Sequence, residues 1–451
     1  MKYISATAGR KRRAEYTRRM LAGAAALCML LAAACGTEEP AESAGVSDAP
    51  PPSSVAADKT TASAAASSAT TANSTAATTV YDVNVPVRLK RLFTADISPG
   101  NADYWESGVE YTRIIELNHS SAGENGTLLV TFEELNGGIV DPTGFPVYVS
   151  RDKGANWERC GFVTDPGTMS AQWNPQLFEL PCPLGDLPAG TVLLAGVSLG
   201  SSRTAIVLYQ SQDTGRTFTK LSTVAVGGPT GGKGIYEPFL VMLHDGTLVC
   251  HYSDETDSAA HSQKLSYRTT RDGKTWSEPV ETVASPRQTD RPGMSVVTQL
   301  GDGRYFMVYE VVGREGMPIY CRTSADGLDW GDPADIGQLI ESVDGKRLGS
   351  APFCAWSPQG GKQGTLIVSG TFMGAGRSHT GEGSDYFISH DYGRSFDTVA
   401  HPIPYTNQKK FGYSNGFAFS SSGEYLFAVN NPGGDLKSDH SKITFALVSL
   451  H

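Results

Sequence analysis

The chain has 451 residues, including 50 Gly and 25 Pro, with only 19% charged residues and a formal net charge of −10. No long amphipathic helical period runs through it, which favours an all-β protein over a helical one. Its acidity argues against nucleic acid and anionic membrane surfaces as partners, because both reward a basic patch.

The first segment, 1–34, reads as a signal peptide. A basic region (Lys2, Arg10 to Arg13, Arg18, Arg19) precedes an apolar run from Met20 to Ala34 that is too short for a comfortable membrane span. Ala33 and Ala34 before Cys35 resemble a bacterial lipoprotein processing site, which implies a lipid anchor at Cys35 and a cell-surface location. Thr17-Arg18-Arg19-Met20-Leu21 also resembles a twin-arginine export motif. Without 1–34 the chain keeps 30 basic and 46 acidic residues, a net charge of −16. Residues 35–79 are rich in Pro, Ala, Ser and Thr and have too little to bury to offset ordering entropy, so they read as a flexible tether. A monomeric domain over 80–451 is expected to follow.

Within that domain one octapeptide pattern recurs. Ser150-Arg-Asp-Lys-Gly-Ala-Asn-Trp157 is followed by Ser211-Gln-Asp-Thr-Gly-Arg-Thr-Phe218, then by shorter copies at Thr270 to Trp276 and Ser324 to Trp330, and by Ser389-His-Asp-Tyr-Gly-Arg-Ser-Phe396. The aspartates at 152, 213, 272, 326 and 391 lie 61, 59, 54 and 65 residues apart, a period that signals stacked supersecondary units. The copies resemble the Asp-box of sialidase-like propellers, in which Ser and Asp bond the turn's own backbone, Gly takes the left-handed position and the aromatic plugs the blade. Apolar runs joined by tight Gly turns, such as Pro238 to Tyr252 around His244-Asp245-Gly246, read as inner hairpins. A six-bladed β-propeller of four-stranded antiparallel blades is predicted, its last blade using Gly416 to Phe419 and Tyr425 to Val429, closed by a strand near Tyr81 to Leu92.

In an antiparallel hairpin the start of the first strand and the end of the second share an edge. That rule brings Glu237 and Glu310 to one axial face, together with Arg113, Tyr413, Glu133, Glu134, Asp254 and Glu255. A Glu at a strand end is ordinarily a solvated edge residue. Two of them in one funnel have the composition that acid-assisted glycoside hydrolysis requires.

Glu237-Pro-Phe-Leu, Tyr252-Ser-Asp, His261-Ser-Gln-Lys-Leu265, Asp290-Arg-Pro-Gly-Met294 and Tyr309-Glu310 resemble glycoside hydrolase family 93, as do Trp173 to Pro181 and Pro188 to Gly196. The resemblance spans Arg113 to Trp330, with departures at Tyr236, Glu255 and Cys321. It implies a retaining exo-α-1,5-L-arabinanase that releases arabinobiose, with Glu237 as nucleophile and Glu310 as acid/base. Trp173, Tyr236, Tyr309 and Tyr413 are candidate sugar platforms; Arg113, Asp254, His261, Gln263 and Arg291 are candidate hydroxyl partners, Arg291 having Asp290 as an alternative partner. An exo-sialidase is the alternative on the same fold, since Tyr111-Thr-Arg-Ile and Tyr413-Ser resemble its start motif and nucleophile. A sialidase needs an arginine clamp, and Ser253-Asp254-Glu255 stands where its second arginine belongs. A non-catalytic glycan-binding propeller is the other alternative. No cofactor is expected and no metal site, there being no Cys or His cluster with ligand spacing. Of the five cysteines after Cys35, Cys160 and Cys182 are near enough in sequence to pair.

Overall fold

The computed structural model describes residues 87–97, 109–120, 123–134, 144–167, 169–373, 384–405, 412–432 and 442–451. The expected signal segment, Cys35 and the tether lie outside the described residues.

Six four-stranded antiparallel sheets form the propeller. The first strand in the chain, β1 (Lys90–Asp96), belongs to the last blade. Blade 1 is β2 (Val109–Glu116), β3 (Leu128–Glu134), β4 (Phe145–Ser150) and β5 (Glu158–Val163). Blade 2 is β6 (Ser170–Glu179), β7 (Val192–Leu199), β8 (Thr204–Ser211) and β9 (Thr219–Gly227). Blade 3 is β10 (Ile235–Met242), β11 (Leu248–Asp254), β12 (Lys264–Thr270) and β13 (Val280–Val283). Blade 4 is β14 (Arg291–Gln299), β15 (Tyr305–Val312), β16 (Ile319–Ser324) and β17 (Gln338–Leu339). A two-stranded ribbon, β18 (Leu348–Gly349) with β21 (Phe372–Met373), flanks blade 5, which is β19 (Phe353–Ser357), β20 (Thr365–Ser369), β22 (Tyr386–Ser389) and β23 (Asp397–Val399). Blade 6 is β24 (Gly416–Phe419), β25 (Tyr425–Asn430) and β26 (Thr444–Ser449), completed by β1 on its outer edge. The closing strand thus begins later than the expected Tyr81, and 81–86 lie outside the described residues.

Each blade packs one face against the blade before it and the other against the blade after it, so its inner strands have no solvated side. All eight residues of β7 are buried, whereas the outer strand β9 is largely exposed or half-buried over its first five residues. The core is accordingly a ring of apolar seams: Leu129, Phe145, Leu177 and Leu194 join blades 1 and 2, and Leu243, Val249, Met307 and Tyr309 join blades 3 and 4.

All five box turns link the third and fourth strands of blades 1 to 5, at the outer rim. In the second, the Ser211 hydroxyl donates to Asp213 at 2.7 Å and accepts Gly215 N–H at 2.9 Å, while Asp213 accepts Thr217 N–H at 2.9 Å. Gly215 sits at φ 78°, the left-handed position that a Cβ disfavours. Cys160 and Cys182 are both free thiols, so the pairing that their spacing allowed is not made; the Cys160 sulfur faces the carbonyls of Val147 and Gly215 instead.

A second repeated device lies at the axis. Tyr111, Asn174, Glu237, Met294, Ala351 and Ser414, one per blade, all take left-handed backbone, with φ between 46° and 61°. The first strands of blades 1 to 4 break register with their partners around these residues. Such bulges re-aim a side chain and turn a backbone N–H out of the ladder.

Candidate active site

Glu237 is the left-handed residue of β10, and Glu310 lies near the end of β15 on the next blade. Glu237 Oε2 accepts the Ser253 hydroxyl at 2.5 Å and the bulge N–H of Met294 at 2.9 Å. Glu310 Oε2 accepts the bulge N–H of Ala351 at 2.7 Å. Each carboxyl is therefore gripped by the left-handed peptide of the following blade. Burial pushes both carboxyls above their ordinary range, and the charge of Glu310 raises Glu237 further, to about 7. Arg291 opposes the rise at both. Two carboxyls that interact in this way titrate as a coupled pair.

Arg291 is not paired with Asp290, the partner suggested by adjacency. Its Nη2 donates to Glu255 at 2.5 Å and to Gln263 Oε1 at 2.8 Å, and Nη1 to the Ser262 carbonyl at 3.1 Å. Asp290 is occupied by Arg314 at 2.7 Å. Buried Glu255 also accepts Gly232 N–H at 2.9 Å and the Tyr236 hydroxyl at 3.3 Å, tying the glycine-rich turn after β9 to the funnel wall. Gln263 Nε2 donates to the Pro292 carbonyl at 3.0 Å, so this side chain orients Arg291.

The half-buried rings of Trp173 and Tyr236 lie 6.2 Å apart across the seam between blades 2 and 3, a flat apolar wall for sugar C–H faces. Tyr413 stands within electrostatic reach of Glu237, Glu310 and Glu110, and its burial holds it well above the usual phenol range, so it stays protonated. It packs on Tyr111, Met294 and Ala351, which form an apolar floor at the axis.

Four sequence candidates are placed elsewhere. Tyr309 is wholly buried between blades 3 and 4, its hydroxyl on the Ile336 carbonyl at 2.6 Å, because neighbours in a strand point to opposite faces and Glu310 takes the other one. Asp254 turns both oxygens onto its own hairpin, accepting Thr256 N–H at 2.8 Å and the Ser266 hydroxyl at 3.3 Å. His261 is held on the Ser285 carbonyl at 2.9 Å. Arg113 is buried, stacked 4.0 Å over the Tyr111 ring, with Nη1 on Thr112 and Ser414. Arg291, the other arginine at the funnel, faces Glu255.

Ser253, Asn174, Glu110 and the bulge peptides of Met294 and Ala351 were not among the candidates. A signal for the bulges was present: Asn174, Glu237 and Ala351 each precede a proline, and proline inside a strand marks a bulge or an edge. Among the described residues no group of three His, Cys, Asp or Glu side chains is placed to hold a metal ion.

Residues 126–349 match the family model of the BNR repeat-like domain. Among solved structures, the α-L-arabinanase of Penicillium chrysogenum, complexed with arabinobiose, is 32% identical with a TM-score of 0.69, over 80% of this chain and 99% of that one. The family-93 α-L-arabinofuranosidase of Fusarium graminearum, also complexed with arabinobiose, is 29% identical with a TM-score of 0.67, over 80% and 98%. A sialidase of Streptococcus pneumoniae, 11% identical at a TM-score of 0.51 over 80% and 70%, shares the fold alone. Comparison with curated protein sequences gave no match.

Proposed function

The chain belongs to glycoside hydrolase family 93, and from that premise we propose that it is an exo-acting retaining arabinanase that releases arabinobiose from α-1,5-L-arabinan. The observation that carries this reading is the pair Glu237 and Glu310, on adjacent blades, each carboxyl buried and gripped by a bulge N–H of the following blade. The arabinobiose bound in two relatives supports the substrate class. The lipoprotein-like segment ending at Cys35 supports export and anchoring at the cell surface.

In the proposed reaction an oxygen of Glu237 attacks the anomeric carbon as the glycosidic bond breaks, and the Glu310 proton passes to the departing oxygen. Ser253 and Met294 N–H hold the second oxygen of Glu237, so attack needs no reorganisation of the carboxylate. Water then gives its proton to Glu310 and its oxygen to the anomeric carbon, releasing Glu237. Two inversions give net retention.

The test is the product and its anomer on linear arabinan, read by NMR during early hydrolysis, together with two variants. Glu310→Gln should lose far more activity on arabinan than on an aryl arabinofuranoside with a good leaving group, and azide should restore turnover with retention. Glu237→Gln should be nearly inactive on both. An inverted product, release of sialic acid from sialyl substrates, or near-parental activity of both variants would overturn the proposal.

A further inference from the structure

The grip on the Glu237 carboxylate accounts for one end of that residue only. Its backbone N–H donates to Asn174 Oδ1 at 3.2 Å, across the seam from blade 2. Asn174 in turn gives its own N–H to Glu133 Oε1 at 2.5 Å and its Nδ2 to the same oxygen at 3.1 Å. The orientation of this amide is dictated chemically: a backbone N–H only donates, so the side-chain oxygen faces Glu237 and the NH2 faces the carboxylate. Both Asn174 and Glu237 hold left-handed backbone, at φ 56° and 61°, a conformation that Asn tolerates and Glu does not favour.

We propose that Asn174 is a positioning residue for Glu237, oriented by Glu133. This rests on the reading of Glu237 as nucleophile. Ser253 and Met294 fix the carboxylate end of Glu237; Asn174 fixes the peptide end, holding a conformation that a free Glu would leave. Misplacing a reacting group by about 1 Å is enough for a loss of roughly 10²-fold. Among the described residues, the groups facing Glu133 include Tyr111 and Arg113 of β2, Glu110 opposite it in register, and Asn174 itself. A carboxylate at position 174 would meet the Glu133 oxygen that the Asn174 amide now donates to.

The test uses the full-length protein on an aryl arabinofuranoside, where leaving-group protonation is unimportant. Asn174→Asp keeps an acceptor for Glu237 N–H but sets a carboxylate against Glu133. Its kcat should fall about 10²-fold at neutral pH with KM within about threefold, and should recover below about pH 5.5, where the two carboxyls share a proton. Glu133→Gln, which still accepts both donors through its amide oxygen, is the background against which the double variant is read. The Glu133→Gln, Asn174→Asp double variant should regain most of the neutral-pH loss, since the Gln amide can donate to the new carboxylate. Asn174→Gly, which permits the left-handed backbone without the amide, should lose kcat about equally at every pH and guards against a folding failure of the Asp variant. An Asp variant whose profile parallels the parent, a double variant no better than the single, or a fully active Gly variant would each overturn the positioning role. Glu237→Gln separates the two ideas: if it is inactive while Asn174→Asp parallels the parent, only the positioning role falls, and if it is active, the nucleophile assignment falls with it.

Discussion

Replacing Glu237 by Gln should make the fold more stable at alkaline pH. Its carboxyl rises from 4.5 to about 7, by burial first and by the charge of Glu310 second. A group raised in this way holds a proton in the folded state that the unfolded chain releases. Its cost is absent below about pH 4.5, grows as pH rises through the interval, and is complete above pH 7. A rise of about 2.5 units at 1.36 kcal/mol each corresponds to roughly 3 kcal/mol. Gln never ionises and is nearly isosteric, so it can still accept from Ser253 and Met294. Urea unfolding of parent and variant at pH 4.5 and pH 8.5 is the assay: the variant should match the parent at the lower pH and exceed it by about 2–4 kcal/mol at the higher. An equal difference at both pH values, or a loss at pH 8.5, would refute the coupling of burial and charge described for this pair.

Activity on arabinan should fall on the alkaline side as Glu310, whose carboxyl burial raises above its ordinary range, loses the proton it donates; a profile with no alkaline limb would contradict its acid role. A methyl group on Gly293 would lie 2.5 Å from Gln263 Nε2 and 3.4 Å from Glu237 Oε2. Gly293→Ala should therefore displace the Gln263–Arg291 contact and lower kcat/KM by about 10²-fold with little change in Tm. Asp213→Ala removes the acceptor of Thr217 N–H at the rim and should cost roughly 1–2 kcal/mol in thermal unfolding while leaving kcat unchanged. Mass analysis of the alkylated, unreduced protein should find Cys160 and Cys182 both labelled, since neither is in a disulfide.

The architecture was readable because each Asp-box satisfies its own turn. Ser211, Asp213, Gly215 and Thr217 bond one another within seven residues, so the pattern survives in the local sequence. The site is held differently. Met294 N–H reaches Glu237 and Ala351 N–H reaches Glu310 across seams between blades, over 57 and 41 residues of chain, and no local pattern encodes such a pairing. The proline after Asn174, Glu237 and Ala351 was the one local trace. Tyr309 shows a constraint that was available and not applied: adjacent strand residues face opposite ways, so Tyr309 and Glu310 could not both line the funnel. Asp254 is turned onto its own hairpin for another reason, since a strand-end Asp two residues before Thr256 readily caps its own turn.

The contact of Tyr111 with Met294 and Ala351 joins blade 1 to blades 4 and 5, so it bridges the ring across its axis. Among the described residues the axis is floored at that level. On the proposed exo-acting reading, a chain end seated above such a floor would leave by the side it entered, and each cleavage would be a separate visit rather than a step of threading.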